Sequence, residues 1–171
     1  MKKRTYIVIA IAVAVWATLI TALMITAEKE TFTDGIITAV LDEESGVLTF
    51  SGNGAVDGFS RRELKDLTPK QRASVRTVIF EDGIMSIGDC EFSDRYFINL
   101  GTIIFEGDIN AIGDCAFSTN PNLTTVQFNG NCRQIGSLAF FQCAALDSIN
   151  VPNECRLSRD ALAWTPFDKD R

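Results

Sequence analysis

A hexapeptide recurs in this chain: Ile87-Gly88-Asp89-Cys90-Glu91-Phe92, Ile112-Gly113-Asp114-Cys115-Ala116-Phe117 and Ile135-Gly136-Ser137-Leu138-Ala139-Phe140. From Ile87 to Ile112 is 25 residues, and from Ile112 to Ile135 is 23. A period of this size means a solenoid, in which one coil cannot bury its apolar face alone and must stack on its neighbours. The apolar ends of each copy (Ile87 and Phe92, Ile112 and Phe117, Ile135 and Phe140) therefore read as core.

A second apolar set precedes each hexapeptide: Val75, Val78, Phe80; Leu100, Ile103, Phe105; Leu123, Val126, Phe128; Leu146, Ile149, Val151. The last step of two in each set, with β-branched and aromatic residues, predicts a short strand with one buried face. Gly83, Gly107, Gly130 and Asn153 follow and predict turns with positive φ. Ile84, Ile109, Cys132 and Cys155 come next and point inward. Asp89, Asp114 and Ser137 stand where a side chain can cap one short helical turn. A fourth copy, Leu157 to Leu162, keeps its apolar ends and loses the glycine, as a terminal repeat should. The fold class is strand-rich α/β.

An apolar pair, then IGxxAF, then xxCxxL is similar to the BspA-like leucine-rich repeats of bacterial and protozoan surface proteins. Phe140-Phe141-Gln142-Cys143-Ala144-Ala145-Leu146 carries the likeness best, and the resemblance runs from Val75 to Leu162. It implies a short leucine-rich-repeat solenoid of about 3.5 to 4 coils. The strand-like segment from Gly46 to Val56 resembles the one that often precedes such repeats. Phe92 to Leu100 is eight residues, against six from Phe117 to Leu123. A bulge is therefore expected in the first repeat, and its counterpart of Cys143 stays open.

Lys2, Lys3 and Arg4 precede an uncharged, mostly apolar stretch ending at Ala27. About 20 helical residues span a bilayer core, and Tyr6 to Ile25 supplies them. The basic cluster favours the cytoplasmic side. We read 1–27 as a transmembrane signal anchor with the repeats outside the membrane; the alternative is a secreted protein cleaved near Ala27. Residues 28–39 read as a tether, 40–73 as a cap on the first coil, 74–163 as repeats and 164–171 as a tail. Within the cap, Ser60 to Ser74 reads as a polar helix with Leu64 and Leu67 on its apolar stripe, broken near Pro69.

The chain carries a net charge of −6, and the anchor holds three basic residues and no acid, so the remainder carries −9. That argues against nucleic acid, whose affinity comes largely from Lys and Arg on phosphates. There is no histidine, which removes the commonest general base and metal ligand. No Cys-x-x-Cys pair supports zinc. Stacked Asp89 and Asp114 read as caps rather than as a calcium site. We expect no enzyme, metal or cofactor.

The register places all five cysteines inward, as small apolar residues. Stacked neighbours on adjacent coils also fall within the Cα range of a disulfide, so Cys90–Cys115 and Cys132–Cys155 are candidate bridges, while Cys143 reads as a ladder residue with Asn120.

The outward strand positions form two columns: Thr77, Thr102, Thr125, Ser148 and Ile79, Ile104, Gln127, Asn150. Hydroxyls in register can bond a sugar or an extended peptide, or simply pair with one another across strands. Neighbouring exposed Ile79 and Ile104 favour contact with a partner. The resemblance implies adhesion to an extracellular protein or glycan. The alternative is a membrane-tethered scaffold that associates through its ends, with the apolar tail around Trp164 either capping the last coil or docking.

Overall fold

A computed structural model describes residues 29–168. The segment assigned to the anchor lies outside the described residues. Among the described residues, no helix is long and apolar enough to cross a membrane.

Each coil contributes one strand to each of two parallel arrays. In the repeats these are β5 (Thr77–Phe80) and β6 (Ile84–Ile87), β7 (Thr102–Phe105) and β8 (Ala111–Ile112), β9 (Thr125–Phe128) and β10 (Gln134–Ile135), β11 (Ser148–Ile149) and β12 (Arg156–Leu157). The hexapeptide closes the third side as a turn rather than a helix.

The solenoid starts one coil earlier than the repeats. β3 (Val47–Gly52) pairs in parallel with β5, and β4 (Gly54–Val56) with β6. This coil replaces the hexapeptide with two short helices, α1 (Phe59–Arg62) and α2 (Pro69–Ser74). The single helix expected from Ser60 to Ser74 is divided because Pro69 opens α2 behind a Thr68–Gln71 capping box. Leu64 and Leu67, between the helices, are buried.

Where a tether is expected at 28–39, the described residues form two strands and the turn between them. β1 (Lys29–Thr33) pairs antiparallel with β2 (Ile37–Asp42), which pairs antiparallel with β3. Alternation explains it: Ile37, Ala39, Leu41, Leu48 and Phe50 are all buried on one face. The result is a seven-stranded sheet, β1-β2-β3-β5-β7-β9-β11, and a five-stranded one, β4-β6-β8-β10-β12.

Two phenylalanine columns run through the core. Phe50, Phe80, Phe105 and Phe128 stack at 5.1, 5.0 and 4.8 Å between centroids. These spacings follow the pitch of neighbouring strands, about 4.8 Å. Phe92, Phe117 and Phe140 stack at 5.6 and 5.5 Å on the hexapeptide side. Phe80 and Phe105 meet Phe117 edge-on, joining the columns. Ile87, Ile112 and Ile135 lie in the same core.

The glycines act mostly through close approach. Gly83 has φ 98°, but Gly107 and Gly130 are not left-handed. A Cβ on Gly107 would strike Asp82, and one on Gly130 would meet the Gly107 carbonyl carbon at 2.6 Å.

Candidate functional site

The register of the long sheet makes one outward face. Thr77, Thr102, Thr125 and Ser148 are direct neighbours on successive strands, as are Ile79, Ile104 and Gln127. Sequence reasoning missed how far this face extends. Val47 and Thr49 continue the two columns onto β3, Asp42 and Val40 onto β2, and Lys29 and Thr31 onto β1. The period-two pattern of 37–42 and 47–52 was the available signal.

Three candidates are less available than expected. Ile79 and Ile104 are half-buried rather than exposed, because strands on both sides flank them. Asn150 is exposed but turned back: its side chain accepts from Phe128 N (2.7 Å) and donates to Phe128 O (2.9 Å). It thereby mimics a further strand where β11 is too short to provide one. Gln127 donates to Asn129 at 2.6 Å. Thr77, Thr102 and Thr125 are half-buried, and Ser148 is exposed.

The expected caps serve between coils instead. Asp89 accepts from Asp114 N (2.8 Å), Asp114 from Ser137 N (2.7 Å), and Ser137 donates to Asp160 (2.8 Å). The Asp89 and Asp114 carboxylates thus each satisfy a backbone donor of the next coil, and Asp160 accepts from a hydroxyl of the coil before it. Among the described residues, no group of three or more His, Cys, Asp or Glu side chains could hold a metal ion.

The cysteines are all free, so neither candidate disulfide is formed. Cys90 is exposed and Cys115 half-buried, contrary to the inward reading. Both adopt left-handed backbone, φ 53° and 55°, which turns the side chain out of the core phase. Cys132 and Cys143 are buried, and burial pushes their thiols up to about 12 and about 11. Cys143 and Asn120 both donate to Phe117 O, at 3.3 and 2.8 Å. In the first repeat Phe97 takes that position, three residues before Leu100, and two left-handed residues, Asp94 and Arg95, absorb the bulge.

Two further contacts had no sequence signal. Glu91 is buried where later coils carry Ala116 and Ala139, and it accepts from Gly58 N (2.6 Å) and Ser60 N (2.5 Å). At the other end, Asp168 accepts from Trp164 N (2.8 Å) and replaces the carbonyl of a next coil. Described tail residues therefore end the hydrogen-bond ladder, while Leu157 stays 42% exposed.

Comparison with known proteins gives the fold a family. The model of the BspA type leucine rich repeat region (6 copies) matches residues 70–165. A solved leucine-rich repeat protein from Eubacterium ventriosum is 21% identical, with a TM-score of 0.52, over 75% of this chain and 39% of that one. A leucine rich cell surface protein from Faecalibacterium prausnitzii is 20% identical, with a TM-score of 0.38, over 70% of this chain and 30% of that one. The chain thus spans well under half the length of either. No curated protein matches it. The repeat is matched over more than half of the sequence, and the chain belongs to the BspA-type leucine-rich repeat family.

Proposed function

We propose that this protein is a surface-displayed recognition module that holds an extracellular protein or glycan partner on the outward face of its seven-stranded sheet. The observation that carries this reading is the continuity of that face: two outward columns stay in register from β1 to β9, and the first, which bears hydroxyls from Thr77 onward, continues to Ser148 on β11. Extended faces of this kind are what solenoids offer to partners. Display outside the membrane rests on the basic cluster and the apolar stretch of residues 5–27.

The test uses the full chain in detergent against purified matrix proteins and glycans, beside Thr102→Arg/Thr125→Arg. Loss of binding in the variant at an unchanged melting temperature supports the face. Binding that survives moves the site to the ends or turns.

A second reading, a tethered scaffold, has one observation in its favour. In the last coil Leu157 is 42% exposed, and Ile149, Val151 and Leu162 are only partly buried. It predicts that Leu157→Asp alters self-association while the sheet variant does not.

A further inference from the structure

After each hexapeptide the chain turns through left-handed backbone at a non-glycine residue: Asp94 and Arg95 in the first repeat, then Thr119, Gln142 and Trp164, all with φ between 56° and 61°. Such conformations are costly for β-branched and bulky residues and need support from their surroundings. The ladder supplies it. Thr119 N donates to Phe141 O (2.7 Å), Gln142 N to Ala163 O (3.1 Å) and Trp164 N to the Asp168 carboxylate (2.8 Å). The fold thus holds a row of unrelated side chains in fixed directions at one corner.

That row borders a groove of about 350 Å³, lined by Arg95, Thr119, Gln142 and Trp164 with Pro121 and Pro166. The volume lies in the range of small-molecule sites, about 300–1,000 Å³. Trp164 is 55% exposed and meets Phe141 edge-on, with 6.5 Å between centroids. Among the described residues, the Thr119 hydroxyl, the Gln142 amide and the Arg95 guanidinium have no hydrogen-bond or ion-pair partner. An exposed aromatic face is therefore rimmed by three polar groups that reach solvent and can exchange water for a ligand.

This chemistry selects among ligand classes. A phosphate-bearing ligand would want several cations, and the groove offers one, Arg95, beside Asp94. A purely apolar ligand would leave three polar groups desolvated and unpaired, which disfavours it. A pyranose has an apolar C–H face to lay on an indole and a rim of hydroxyls that both donate and accept. We propose that this groove is a saccharide-binding site, with a sugar ring stacked on Trp164 and its hydroxyls bonded to Gln142, Thr119 and Arg95. It is separate from the sheet face.

The test is binding of the full chain, in a detergent without a sugar headgroup, to immobilised neutral hexose and N-acetylhexosamine oligosaccharides. A proline-rich peptide and a nucleotide serve as competing probes. The expected result is saccharide binding weakened about tenfold or more by Trp164→Ala, as for a central aromatic anchor. Gln142→Ala should weaken it too, while Thr102→Arg/Thr125→Arg leaves it intact. Should Trp164→Ala fail to fold, Gln142→Ala with an unchanged melting temperature decides the matter. No saccharide binding, binding indifferent to the groove variants, or selective binding of the peptide or nucleotide overturns the proposal. Loss in the sheet variant alone would place the sugar on the sheet face and also overturn it.

Discussion

The carboxylate of Glu91 accepts the backbone N–H of Ser60, and of Gly58 beside it, from 31 residues further along the chain. It is the tie between the first hexapeptide and the helical side of the preceding coil. Tyr96 adds to it, with its hydroxyl within hydrogen-bond distance of Ser60 O and Leu64 O. Replacing Glu91 by alanine, the residue of the later repeats, orphans two backbone donors. We expect a loss of about 2 kcal/mol or more in urea unfolding. An unchanged midpoint would show that water replaces the carboxylate.

Glu91 also sets a pH dependence. Burial pushes its carboxyl above the ordinary range, against the pull of the Ser60 and Gly58 donors. The folded state therefore holds the proton to higher pH than the unfolded chain. The associated stability is complete below the unfolded carboxylate range and is lost as pH rises through the raised value. The stability of the native chain should thus fall relative to Glu91→Gln over that interval. A pH-independent difference between their urea midpoints would contradict this.

Phe117 stacks between Phe92 and Phe140 and meets Phe80 and Phe105 edge-on. Phe117→Ala should cost about 3–5 kcal/mol, since both columns lose a shared neighbour. A loss under about 1 kcal/mol in chemical denaturation would mean that the cavity collapses almost completely.

Gly113 and Gly35 should respond differently to substitution. Gly113 is not left-handed, yet a Cβ there would strike the Asp89 side chain and lie 2.7 Å from the Gly88 carbonyl carbon. Gly35 has φ 95° and open space around it. Gly35→Ala should cost about 1–2 kcal/mol of backbone strain, and Gly113→Val more, because it also separates two coils. Equal shifts in melting temperature would remove the close-approach argument.

Thiol labelling at neutral pH should separate the cysteines. Exposed Cys90 should react in the folded protein, while Cys132 and Cys143 should stay silent until unfolding, being buried and pushed up to about 12 and about 11. Rapid native labelling of Cys143 would show that the last repeats open locally.

Much of this architecture could be read from residue spacing. The stacked strands, the two phenylalanine columns and the Thr77–Thr102–Thr125–Ser148 column follow from it, because each coil repeats one local pattern and parallel stacking preserves register. The coil formed by β3, β4 and the two helices lies beyond that logic: Val47 pairs with Thr77 across 30 residues with no hexapeptide between them. Tertiary structure also decided which atoms meet across coils. Asp89 bonds Asp114 rather than its own turn, Glu91 reaches back to Ser60, and left-handed backbone turns Cys90 outward. Spacing along a chain specifies the phase of each side chain, in or out. Contacts between coils depend on the pitch and offset of the stack, and only the folded chain sets those; Arg95 and Trp164 border one groove across 69 positions for that reason.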